Sequence, residues 1–597
     1  TWIYANGANL MALALRRDVE NVFAPRDEAE GKDAKAQTKG EDKDKPKDEP
    51  KSDGADAGKD ASKSEQKPAK PVEIEFEGLE ARSVALPVEA GVFDSLEGGK
   101  SKLFYLRRPR VGSTGGDGVV QQFALSAKKK ERVEKTVLSG ARGFQLAAGG
   151  EKLLVRLENA WAVVDAAPEQ KAETKLDFSA LEARIDPRRE WAQILADARR
   201  LMRDYFYEPT LHGVDWNGAV YERFRAALAD ATHRSDLHYL LGEMIAELNV
   251  GHAYNQAGPT AEEAPKSSLA GLLGCDFALE QGAWRITRIL GLNSPEIDAR
   301  SPLAALGVDA RNGDWLLAVN GRAVDAGKDV HAALLGCAGR PTELTLNAAP
   351  LVDSAARRVV VVPLEGEAEL RYRDWVATRR ALVAELSQGR VGYVHVPDTG
   401  QRGQNELVRQ LESQWAKDAL LVDERWNGGG QIPTRFIERL QRPRTNFWAV
   451  RHGEDWIWPP RAHHGPKAML INGSSGSGGD AFPYYFRQAG LGKLIGQRTW
   501  GGLVGIAGNP AFVDGASITV PRFAFYEKDG TWGVEGYGVA PDLEVLDDPS
   551  LMAHGEDPQL VAGVQHLLRE LESFAFERPR RPASPDRRGA GVTPADR

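Results

Sequence analysis

Apolar positions change period several times along the chain, and each change predicts a different kind of element. Between residues 72 and 165, short apolar runs are separated by turn-forming residues. They predict strands over 72–76, 81–88, 102–106, 119–125, 131–138, 143–146, 152–157 and 160–164. Residues 2–15 read as a further strand, turn and strand. Strands of this length and spacing suit propeller blades, a sandwich or a barrel. At Asp186-Pro187 the period switches to that of a helix, with an N-cap followed by proline at the first helical position. Trp191, Ile194, Leu195, Ala198, Leu201, Met202 and Phe206 then share one face. Helices over 218–230 and 235–248 complete a small helical domain, 186–262. Residues 265–352 return to strands with one short helix over 329–335. Beyond 355, helices (375–386, 405–415, 433–440) alternate with strands (391–396, 419–423, 468–471, 493–499), and a helix over 558–571 closes the pattern. Such alternation predicts a mainly parallel sheet covered on both faces.

Composition narrows the picture. The chain has 597 residues, 42% hydrophobic and 27% charged, which gives room for several domains with sizeable cores. A net charge of -8 argues against a nucleic-acid partner, because a phosphate backbone selects a basic face. No apolar run approaches the roughly 20 residues that span a bilayer. The two cysteines, Cys275 and Cys337, read as small buried hydrophobes and not as a disulfide framework. Residues 26–71 are rich in Lys, Asp, Glu, Ser and Pro with almost no large apolar side chains, and residues 577–597 are rich in Pro and Arg. Both segments are expected to be disordered, since they cannot bury enough surface to offset ordering. The chain opens at Thr1 inside an apparent strand, so a missing N-terminal portion is expected and the lack of a signal peptide does not set the compartment.

Candidate chemistry collects at loops that follow predicted strands. AMLI (468–471) runs into the glycine-serine turn NGSSGSGG and then into an apolar helical face. Ser477 sits at this strand-to-helix corner, where its hydroxyl is exposed and the amide of Gly478 and the helix N-terminus favour developing negative charge. A second glycine-rich loop, DERWNGGG, places Gly428, Gly429 and Gly430 where backbone amides can approach a carbonyl. Neither loop has the Lys-Ser/Thr pair of a phosphate-binding loop. His252, in ELNVGHAY, lies in a loop just past a helix, which makes it a candidate general base. His463 and His464 have no surrounding ligand set and are expected to be exposed loop residues. His395 is expected to be an ordinary strand residue, so no metal or cofactor is implied. Gly271-Leu272-Leu273-Gly274, followed by SPLAALGV and NGDWLLAVNGRAV, resembles a PDZ domain whose loop amides would hold a peptide carboxylate.

The order ELNVGHAY, PDZ-like unit, DERWNGGG, NGSSGSGGDAFPYYF and GVEGYGVAPD resembles the tricorn protease family, serine peptidases related to the C-terminal processing proteases. The resemblance implies a multidomain α+β chain. Its parts would be a β-propeller remnant over 1–180, the helical domain 186–262 carrying His252, a PDZ-like domain over 265–352, and an α/β catalytic domain over 355–575 with a crotonase/Clp-like sheet carrying Ser477 and Glu535. It implies Ser477 as nucleophile, His252 as general base and Glu535 as the acid that orients the histidine. Gly478 and one of Gly428, Gly429 and Gly430 would form the oxyanion hole. Family members carry a serine directly before the histidine, whereas this chain has Gly251, so Glu535 is expected to reach His252 directly or through a water. The turn Thr499-Trp500-Gly501-Gly502 lacks the lysine of the processing proteases, which favours Ser-His-Glu over Ser-Lys. The implied activity is hydrolysis of oligopeptides through an acyl-enzyme with no cofactor. Implied partners are peptide substrates and further copies in a ring-like homo-oligomer, without nucleic acid or membrane. The implied location is cytoplasmic, with the periplasm left open. The alternatives are a catalytically impaired peptide-binding scaffold and a Ser-Lys processing protease.

Overall fold

The computed structural model describes residues 7–19, 72–99, 101–110, 116–125, 132–182, 184–258, 268–292, 299–584 and 595. The expected disordered insert over 26–71 and most of the expected tail over 577–597 lie outside the described residues. The chain divides into two compact units, Thr1–Arg184 and Ile185–Arg597.

In the first unit, Val92–Gly99, Lys102–Arg108, Gly118–Ala124 and Glu134–Ala141 form a four-stranded antiparallel meander. Gly143–Leu146, Lys152–Arg156 and Trp161–Asp165 form a three-stranded one. Phe104, Leu106, Val120, Phe144, Leu153 and Val155 make their shared core. The strand Val92–Gly99 was not legible from periodicity. A register shift between Asp94 and Glu97, with Ser95 at φ 51°, breaks its alternation. Met11–Leu13 pairs with Ser83–Ala85 and not with a sequence neighbour, and residues 72–76 run outside any sheet, with Glu75 N–H donating to Leu15 O.

The second unit opens with the helices Pro187–Tyr205, Tyr221–Ala227 and Arg234–Ala246. Asp186 caps the first through the N–H of Arg189, and the predicted stripe of Trp191, Ile194, Leu195, Ala198 and Met202 is buried. This helical core is completed by Phe512, Ile518 and Val520, contributed from more than 250 residues downstream. A six-stranded antiparallel sheet follows, ordered Cys275–Glu280, Ala283–Ile289, Trp315–Val319, Thr342–Asn347 and Arg357–Val361, with Arg322–Ala323 paired back on Trp315–Val319. The short helix expected over 329–335 is the 3-10 turn Val330–Leu334. Cys275 and Cys337 are both free and buried.

The rest is a three-layer α/β structure. Its parallel sheet runs Val391–His395, Ala419–Asp423, Lys467–Ile471, Gly492–Gly496 and Leu543–Glu544. Successive residues point to opposite faces, and both faces are apolar. Val394, Leu420, Val422, Met469 and Ile471 pack with Leu411, Phe436, Phe482 and Phe486 of the helices Gln401–Gln414, Thr434–Leu440 and Gly478–Gln488. Tyr393, Leu421, Ala468 and Leu470 face Val383 and Val564 of Ala368–Leu386 and Pro558–Ser573. No helix among the described residues is long and apolar enough to cross a membrane.

Candidate active site

The corner at Ser477 joins the fully buried strand Lys467–Ile471 to the helix Gly478–Gln488. Ser477 has φ 60° and ψ -116°, a sparsely populated conformation for a residue with a side chain. The surrounding backbone holds it there. Asp480, fully buried, accepts hydrogen bonds from Ser477 N (2.7 Å), Thr499 Oγ1 (2.5 Å), Gly501 N (2.7 Å) and Gly502 N (3.2 Å). Burial pushes the Asp480 carboxyl upward, opposed by those four donors. Asp480 thus supplies the return half of a capping box, its carboxylate accepting from the Ser477 N–H, while the serine hydroxyl meets another partner. Gly478 is required at its position, since a Cβ there would lie 2.0 Å from Thr399 Oγ1.

That other partner is His252, whose Nε2 lies 2.9 Å from Ser477 Oγ. Its loop is fastened to the 517–523 segment by Thr519. The Thr519 hydroxyl donates to His252 O (2.5 Å) and accepts from Tyr254 N (2.8 Å), while Asn255–Gln256 pairs with Ser517–Ile518. The Trp500 ring lies 5.6 Å from the imidazole, centroid to centroid. Burial holds the His252 pKa below the ordinary histidine value of 6.5, against the opposing charges of Glu535 and Asp480.

Among the described residues, Glu535 makes no direct hydrogen bond to His252, the first of the two arrangements expected. Its Oε1 accepts from Gly251 N (2.7 Å), and its Oε2 accepts from Leu503 N (2.6 Å) and Val504 N (2.9 Å). Among the described residues, His252 Nδ1 is buried without a hydrogen-bond partner. Gly251 explains the difference: a Cβ there would lie 2.9 Å from Glu535 Oε1 and 2.9 Å from Gly502 Cα. The carboxylate occupies the space a side chain at 251 would need, and it grips the backbone immediately before the histidine.

The three glycines of the second loop are not equivalent. Gly428 N–H donates to Pro397 O (3.0 Å), and Gly429 N–H donates to Asn427 Oδ1 (2.9 Å). No acceptor meets the N–H of Gly430 among the described residues, and that nitrogen lies 3.0 Å from the position a Cβ on Gly478 would take. The loop itself is anchored by Arg425. Fully buried, this residue bonds both oxygens of Asp423 (2.9 and 2.7 Å) and both of Asp557 (2.8 and 2.9 Å). Asp480, Thr519 and Arg425 escaped sequence reading. Only Asp480 carried a usable signal, the Ser-x-x-Asp spacing before an apolar run.

Three further expectations meet the structure. The amides of the Gly271-Leu272-Leu273-Gly274 loop do not form an open carboxylate cradle. Gly271 N donates to Leu334 O (2.9 Å), Leu272 N to Leu364 O (2.9 Å) and Gly274 N to Glu367 Oε2 (3.1 Å). His463 is buried and not an exposed loop residue, and desolvation lowers its pKa to about 3; His464 is half-buried. These residues pack at the entry to Lys467–Ile471, where the α/β core excludes water. His395 is a buried strand residue with both ring nitrogens engaged, by Tyr372 Oη (3.1 Å) and Arg425 O (3.2 Å).

Comparison with known proteins addresses the same segments. Residues 187–246 match the tricorn protease C1 domain, 271–366 the tricorn protease PDZ domain and 390–545 peptidase family S41. The chain is 36% identical over 523 residues to tricorn protease homolog 1 of Streptomyces coelicolor, covering 85% of this chain and 48% of the relative. It is 32% identical over 515 residues to a putative tricorn-like protease C-terminal subunit of Sulfurisphaera tokodaii, covering 84% and 58%. The crystal structure of the tricorn protease superposes with a TM-score of 0.76 at 28% identity, over 85% of this chain and 49% of that one. The chain spans about half the length of the curated relatives it matches.

Proposed function

The chain belongs to the tricorn protease family, and on that premise we propose that it is a serine peptidase that hydrolyses oligopeptides through an acyl-enzyme. The observation that carries the reading is the 2.9 Å approach of His252 Nε2 to Ser477 Oγ across 225 residues of chain. Ser477 Oγ attacks the peptide carbonyl while His252 Nε2 takes its proton. The oxyanion is held by the N–H of Gly478, in the first turn of its helix, and by the N–H of Gly430, the triplet amide left without an acceptor. His252 then protonates the leaving amine, and a water repeats the sequence to release the acyl group.

Glu535 has a positioning role in this scheme. It fixes the backbone at Gly251 and, with Asp480, supplies negative charge near the imidazolium that forms during turnover. The orphaned Nδ1 gives the second reading, a catalytically impaired chain, a specific footing, because the imidazolium then lacks a direct hydrogen-bonded counter-charge. The four-stranded and three-stranded meanders of Thr1–Arg184 fit as blades of a partial β-propeller, and residues 186–262, 265–352 and 355–575 as helical, PDZ-like and catalytic domains.

Digestion of a mixed oligopeptide library, read by mass spectrometry, tests the reading. Wild type should generate new termini and Ser477→Ala should not. Equal product patterns from both proteins would contradict it.

A further inference from the structure

A groove of ≈ 920 Å³ lies between two helices that follow the site loops and takes no part in the chemistry described so far. Its walls are the helices Thr434–Leu440 and Gly478–Gln488. The first begins four residues after Gly430 and the second directly after Ser477, so each wall grows out of one of the two glycine loops that meet at the reacting hydroxyl. Ile432, two residues past Gly430, lines the near end.

The helical rise sets how far the groove lies from the bond that is cut. At about 1.5 Å per residue, Tyr484 is about 10 Å and Gln488 about 16 Å along the axis from Ser477. An extended peptide advances about 3.3 Å per residue, so one running along that axis from Ser477 would place residues about three to five positions from the scissile bond at the groove.

The lining specifies a chemistry. Ile437, Tyr484 and Tyr485 give an apolar and aromatic floor. Tyr484 Oη sits between the two oxygens of Glu527 (2.7 and 2.6 Å), which fixes that ring in place. Around the floor stand the carboxylates of Glu438, Glu527 and Asp529 against the single ammonium of Lys528. Among the described residues neither Glu438 nor Asp529 is engaged in an ion pair; Asp529 accepts only from Thr531. Tyrosine faces accommodate the aliphatic stems and cationic heads of long basic side chains, and the carboxylates supply their counter-charge.

We propose that this groove is a remote subsite that holds a cationic stretch of the peptide substrate, about three to five residues from the bond cleaved. The proposal rests on the serine peptidase reading of Ser477. The positive group is an ammonium or guanidinium, supplied by a lysine or arginine side chain or by the free α-amino end of the peptide.

The test uses fluorescein-labelled peptides of about twelve residues, long enough to fill the groove at the extended spacing. One series is N-acetylated with lysine scanned through the five positions on either side of a cleaved bond, a matched series carries glutamate, and a third has a free amino terminus and no lysine. Binding is read by anisotropy on full-length Ser477→Ala, and KM and kcat on the active chain. Lysine three to five positions away should bind about tenfold more tightly than glutamate there, with salt weakening the preference. Glu438→Gln combined with Asp529→Asn should erase it, raising KM about tenfold for the lysine peptides with kcat within about twofold and neutral peptides unaffected. A preference confined to the free-amine series identifies the chain terminus as the source of charge, and one confined to the acetylated series identifies the side chain. Equal binding of lysine and glutamate peptides, or a preference that survives the double substitution, overturns the proposal. Anisotropy on Ser477→Ala needs no turnover, so the groove is judged separately from the peptidase reading.

Discussion

Single residues at the site have separable jobs, and each predicts a different kinetic signature. Because burial holds the His252 pKa below 6.5, the imidazole stays neutral and able to accept a proton to lower pH than a free histidine. The profile of kcat/KM against pH should therefore be flat from pH 7 down to the ordinary histidine range and fall only below it. A limb centred above that range would show that the base is charge-stabilised instead. Glu535→Gln removes the negative charge and places an NH2 against at least one of the N–H groups of Gly251, Leu503 and Val504. Stopped assays should show kcat lower by about 10- to 100-fold with KM little changed, the pattern of a lost transition-state interaction. Ser477, His252, Glu535 and the glycines were legible because their residue types sit in short, ordered motifs. The contact of Glu535 with the backbone of Gly251 was not, since a motif gives residue identities and not which atom a carboxylate meets.

Elements hold these residues in place through contacts remote in sequence. The His252 loop is tied to the 517–523 segment through the Thr519 hydroxyl and a two-residue strand pair. Thr519→Val keeps the shape and removes both hydrogen bonds, and should lower kcat by about tenfold or more while the melting temperature moves by only a few degrees. The glycine loop is held by Arg425 between Asp423 and Asp557. Arg425→Met leaves the buried carboxylate of Asp423 without its cation and Asp557 with only Arg379 at 3.5 Å, so urea unfolding should show a loss of about 3–5 kcal/mol. A loss below about 1 kcal/mol would mean that the pair contributes little beyond an apolar side chain of that size. Periodicity found the helical stripe at 191–202 and four of the five parallel strands, whose apolar patterns are continuous, but not the two-residue Leu543–Glu544. It missed Val92–Gly99 and the Asn446–Trp448/Trp456–Trp458 hairpin because their alternation is broken or their partners are set by tertiary packing.

Across the whole molecule, three distant stretches of chain converge on the site. The helical core is incomplete without Phe512, Ile518 and Val520, so the segment that fastens the His252 loop is itself built into that core. The sequence order of the domains was readable from changes in period, whereas this interlocking was not, because no local pattern marks which apolar residues a distant core borrows. The most direct measurement is intact-mass analysis after treatment with a fluorophosphonate, which labels only a serine activated by a base. Wild type should gain one adduct, mapped to Ser477. Ser477→Ala should gain none, and His252→Ala should label at least about a hundredfold more slowly. An unlabelled wild type, or labelling that persists at full rate without His252, would contradict the account.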